Sequence, residues 1–152
     1  MWRAGDLTFE NTDHLQAVLK VYGGNDVSGV VRQQIDNPKL PVKQRQALFA
    51  LLAQTGNTTD AQLILKSANT LPDVLDALSK SVQKRNLQAP PNAEKQLFTA
   101  TRNRNGLVRA KAIQLAGLWK INSFKDYSIT EATDQNEPAN VRLAATEALG
   151  QL

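Results

Sequence analysis

The feature that most constrains this 152-residue chain is internal repetition. The segment from Val108 to Gly117 aligns without a gap on the segment from Val141 to Gly150, an offset of 33 residues. Ala47, Ala50 and Leu51 align in the same way with Ala145, Ala148 and Leu149, which starts a further copy at Lys43. A weaker copy begins at Val74, with Leu78 and Val82 on one helical face. The starts at 43, 74, 108 and 141 lie 31, 34 and 33 residues apart. A period of that size predicts units that cannot bury an apolar face alone and must stack on their neighbours.

Each copy is preceded by a second helical pattern and a turn. The turns hold Asn37-Pro38, Asn69 to Pro72, Arg102 to Gly106 and Asp134 to Pro138. Proline and Asn/Asp/Gly clusters fall there because a proline between helices breaks no internal hydrogen bond and presets the next first turn. The spacing therefore predicts helical hairpins at about 25–56, 58–86, 92–120 and 123–152. Ahead of them, Thr12-Asp13 begins a helix that Gly23-Gly24 stops, taken as half of a partial repeat. Residues 1–11 read as an extension and 12–152 as one domain. In the helix expected over Leu107 to Lys120, Val108, Ala112, Leu115 and Trp119 share a stripe, while Ala110, Ile113, Gly117 and Leu118 cover most of the remainder. A helix apolar nearly all round is buried on several sides, so Trp119 is expected in the core and the fold class is all-α in two layers.

Composition limits the chemistry. Hydrophobic residues make up 41% and aromatics 5%, which predicts a core of small aliphatic side chains. Asn and Gln together number 25, which argues against a hyperthermophile source. The absence of cysteine removes disulfides, thiolate metal sites and a cysteine nucleophile, and leaves the compartment open. No apolar stretch reaches the roughly 18 to 20 residues of a membrane span. His14, the single histidine, reads as a surface residue near a helix start. Asp73 and Asp76 read as first-turn acids that complement a helix dipole. Asn57-Thr58-Thr59 fits a glycosylation triplet, but Thr58 or Thr59 serves equally as a helix cap. No catalytic residue, cofactor site or metal site is expected.

Charge is uneven. Between Lys80 and Lys125 ten basic residues face the single acid Glu94, whereas Asp126 to Leu152 holds five acids and only Arg142. Lys84, Arg85, Arg102, Arg104 and Lys111 are therefore candidate anion- or partner-binding residues, expected to converge on one side of adjacent repeats.

The pattern of an Asp/Asn/Pro loop followed by V-R-x-x-A-x-x-A-L-G resembles the HEAT repeat in its short bacterial form. The match is strongest over Val141 to Gly150, good over Val108 to Gly117, fair over Lys43 to Gly56 and poor over Val74 to Arg85. The resemblance implies a right-handed α-solenoid of about four hairpins plus the partial repeat, and a non-catalytic scaffold for protein–protein interaction. It also implies a polar ladder between repeats through Arg109 and Arg142, incomplete in the first half because Gln44 and Leu75 depart from the pattern. Some HEAT-like proteins, including a family of DNA glycosylases, bind DNA, so a nucleic-acid or phosphate platform on the 80–125 face is the rival reading. A second rival is a helical-repeat segment of a large bacterial dehydrogenase with a c-type haem domain, although no CxxCH motif is present. The core pattern still running at Gly150-Gln151-Leu152 suggests excision from a longer array and weak self-association through the exposed end.

Overall fold

The computed structural model describes residues 26–152. Among them the regular structure is entirely helical: α1 (Asp26–Ile35), α2 (Val42–Thr55), α3 (Thr58–Ala68), α4 (Pro72–Arg85), α5 (Ala93–Ala100), α6 (Gly106–Leu118), α7 (Lys125–Thr133) and α8 (Ala139–Leu149), with a 3-10 turn at Asn122–Phe124. The all-α class is thus observed. The expected helix between Thr12 and Tyr22, and with it Trp2 and His14, lies outside the described residues.

Local chemistry sets the boundaries. Asn57, rather than Thr58 or Thr59, caps α3: its side chain accepts from the Asp60 N–H while Asp60 accepts from the Asn57 N–H. Gly56 ends α2 beside that box because a Cβ there would meet the Asp60 Cβ at 2.5 Å. Pro72 opens α4, and Asn86 closes it in the left-handed region at φ 53°. Asn105 caps α6 by accepting from the Leu107 N–H.

Helix α6 ends at Leu118, two residues short of the expected Lys120. Lys120 takes φ 53°, which lets its N–H donate to Gly117 O and the Ile121 N–H donate to Ala116 O. Those two bonds satisfy the terminal carbonyls and stop the helix without a glycine.

The even-numbered helices α2, α4, α6 and α8 pack on one another in chain order, and each odd-numbered helix packs on the even one that follows it. Contacts in the same order along α4 and α6 make these two helices parallel. Midway along them Lys111 of α6 pairs with Asp76 of α4, and beyond their ends Trp119 Nε1 donates to Leu87 O at 2.8 Å. Ser81 of α4 likewise donates to Ala53 O near the end of α2 at 2.6 Å. Trp119 is half-buried rather than fully enclosed, because its indole N–H needs an acceptor and finds one at the rim.

The core runs between the two sets of helices. Leu52, Ile64, Leu65, Leu75, Leu78, Leu97, Leu115 and Phe124 are completely covered, and so is Ala112. Burial of Ala110, Ala112, Ile113, Leu115, Ala116 and Gly117 around α6 fulfils the expectation from its apolar circumference. The aromatic content is concentrated at one point: Phe98 stacks on Phe124 with centroids 4.0 Å apart, and Tyr127 meets both rings edge-on.

Candidate functional site

The residues that stand out chemically lie on α4. At 100° per residue, Asp73, Ala77, Lys80 and Lys84 fall on one strip along the helix, within about 60° of each other. Opposite them α2 presents Ala50 and Gln54, one turn apart. Because Ala50 and Ala77 are small, the two helices leave a groove of about 520 Å³ between them, lined by α2 and α4 alone.

Asp76 organises the next strip of the same helix. Its Oδ1 accepts from Lys111 Nζ of α6 at 2.5 Å and its Oδ2 from Lys80 Nζ at 2.7 Å. Burial pushes the Asp76 carboxyl upward, but the hydrogen bonds from Lys111 and Lys80 outweigh it and hold the group below its ordinary range. The hydrogen bond to Asp76 raises Lys80 correspondingly. Asp76 is thus the hub of a three-residue ion cluster. The first-turn placement hid this role, although its spacing of four from Lys80 is the standard signal for a helical ion pair.

The five candidate cations do not converge. Lys84 and Arg85 end α4 and line the groove, where Arg85 Nη2 also donates to Ala53 O at 3.3 Å. Lys111 sits near the middle of α6 and is engaged by Asp76. Arg102 and Arg104 occupy the turn before α6, at the opposite end of the parallel even helices from Lys84 and Arg85. Arg102 instead borders a shallow depression on α5 with Glu94, Lys95 and Phe98. Among the described residues Lys84, Arg85, Arg102 and Arg104 form no ion pair.

The two arginines expected in a ladder both bind turns. Arg142 donates to the backbone and side-chain oxygens of Gln135 in the preceding turn. Arg109 donates to the carbonyls of Asn103 and Arg104 in its own turn and to Glu137 Oε2 of the next turn at 2.5 Å, thereby tying two turns together. In the first half Gln44 makes no such bond, but its neighbour Arg45 donates to Asn37 O at 3.0 Å and supplies the tie one position later. A different link, Arg32 to the buried Asp60, joins α1 to α3 at 2.5 Å.

A second acidic cluster lies beside the aromatic group. Burial and the neighbouring Glu137 raise the Glu131 carboxyl, against the lowering effect of a hydrogen bond with Tyr127 and of Arg109. Burial likewise raises Tyr127. Among the described residues no group of three or more His, Cys, Asp or Glu stands close enough to hold a metal ion, and no helix is long and apolar enough to cross a membrane. The chemistry on offer in the groove is ionic and hydrogen-bonding recognition, without a nucleophile aligned on a base. Comparisons with family models, with curated proteins and with solved structures return no match.

Proposed function

We propose that the chain is a HEAT-like helical-repeat module, a right-handed α-solenoid of about four hairpins that binds a protein partner and performs no catalysis. The observation that carries this reading is the chain-order packing of four even-numbered helices, each backed by its own odd-numbered helix. That packing accords with the 33-residue offset of the sequence copies and sets polar side chains of α2 and α4 along an open groove. The nucleic-acid reading loses its main support, since Arg102 and Arg104 are separated from Lys84 and Arg85 and Lys111 is engaged by Asp76.

A photoreactive phenylalanine placed singly at Gln54 or Lys80 on the even helices, and at Lys66 or Lys95 on the odd ones, tests the reading in extract of the source cell. Discrete protein adducts from Gln54 and Lys80 alone are the expected result. Adducts spread evenly over both sides, or none from the even helices, would contradict it.

A further inference from the structure

The groove between α2 and α4 has charge of opposite sign at its two ends. Asp73 stands at the start of α4, and Lys84 with Arg85 at its finish. We propose that this groove docks an extended segment of a protein partner, holding a basic side chain at Asp73 and an acidic one at Lys84 and Arg85. The inference rests on the interaction-module reading and names the kind of segment that the module takes.

Three observations support it. First, the middle of the groove is already satisfied. Asp76 engages both Lys80 and Lys111, so the central carboxylate is already paired and one net positive charge is left between the two lysines, while Asp73, Lys84 and Arg85 form no ion pair among the described residues.

Second, the acidic-binding end is preorganised. Ala53 O accepts from both Ser81 Oγ and Arg85 Nη2, which fixes the guanidinium over the end of α2 and leaves most of its donors free for a carboxylate. Gln54, exposed beside it, offers an amide donor and acceptor to a peptide backbone.

Third, the dimensions fit an extended chain. Eleven residues of helix separate Asp73 from Lys84, roughly 16 Å at 1.5 Å each. An extended peptide covers that span in about five residues. The floor of Ala50 and Ala77 leaves room for its backbone in a volume of about 520 Å³. A phosphate backbone fits worse, since every position along it is negative and Asp73 stands in its path.

The test is an array of immobilised nonapeptides of alanine and serine carrying one Glu and one Lys at every spacing and in both orders. The full chain is the probe, and Kd values follow in solution by fluorescence polarisation. Binding is expected to peak in one order near a spacing of five, and Lys84→Glu with Arg85→Glu to weaken it at least ten-fold. Asp73→Lys should shift the preference from the Lys/Glu peptide to one with two Glu residues, a change of specificity that mere loss of folding cannot produce. Circular dichroism confirms that each variant is folded.

Equal retention at every spacing and in both orders would overturn the proposal. So would no retention at all, or an equal loss in Arg102→Glu with Arg104→Glu. Tighter binding of a 25-base-pair duplex, abolished by the Lys84/Arg85 reversal, would assign the groove to nucleic acid instead. Photo-adducts at Gln54 that survive this reversal would sink the groove assignment while leaving the interaction-module reading intact.

Discussion

The seam between α6 and α8 and the seam between α2 and α4 join helices of the same set, yet one is closed and the other is open. Between α6 and α8, Gly117 comes so near its neighbour that an added Cβ would meet the Ala148 Cα at 2.8 Å. Ala110, Ile113, Val141, Ala144, Ala145 and Ala148 fill that seam with small apolar side chains. Between α2 and α4 the small residues Ala50 and Ala77 are flanked by Gln54, Asp73, Lys80 and Lys84, whose polar and charged ends stay in water and hold the groove open. The same small-residue pattern therefore closes a seam when its neighbours are apolar and makes a trough when they are charged.

The largest effect that separates the two seams is expected from a buried charge. Ala145→Asp in the α6–α8 seam, at a fully covered position, should cost more than about 4 kcal/mol, because the carboxylate has no partner there. Ala50→Asp in the groove should cost less than about 1 kcal/mol, since water reaches it. Denaturant midpoints check both, and similar losses would erase the distinction. Leu115→Ala comes next, at about 2 to 5 kcal/mol through lost burial and a cavity beneath α6. Gly117→Ala follows at about 1 to 3 kcal/mol, since the clash is with backbone and only a shift of α8 relieves it.

The smallest effects are electrostatic and opposite in sign. Asp76 is held below its ordinary pKa, so its contribution is complete above about pH 4 and is lost as the pH falls through the lowered folded value. Glu131 is held above its ordinary 4.5, so the native state binds that proton more tightly than the unfolded chain. Stability tied to Glu131 is present below 4.5 and is lost as the pH rises through the raised folded value. Asp76→Asn should therefore lower the midpoint at pH 7 and lose that penalty at the acid end. Glu131→Gln should raise it at pH 7 and do nothing at pH 4, each change being less than about 1 kcal/mol. Urea titrations at pH 7 and pH 4 test Glu131, and a further titration well below pH 3.8 tests Asp76.

The helices were legible because their signals are local. The apolar circumference of α6 and the Pro-, Asn- and Gly-bearing turns act within a few residues, and the helices they predict are present. What escaped was set by partners distant in sequence. Asp76 looked like a first-turn acid until α6 brought Lys111 to it from 35 residues away. The basic stretch from 80 to 125 looked like one patch because a charge count does not register that Lys84 and Arg102 fall at opposite ends of parallel helices. The turn tie at Arg45 was missed because it is displaced by one residue from Gln44, and a long arginine side chain absorbs such a shift.

The contrast between the seams can be measured directly because the chain has no cysteine of its own. Single variants Ala50→Cys in the groove and Ala145→Cys in the α6–α8 seam, treated with a small thiol reagent under native conditions, report solvent access at each. The account predicts that Ala50→Cys, half-buried but open to the groove, labels within about a hundred-fold of the unfolded chain. Ala145→Cys, at a fully covered position, should label at least about a thousand-fold more slowly, through rare opening alone. Comparable rates at the two sites, fast or slow, would contradict it.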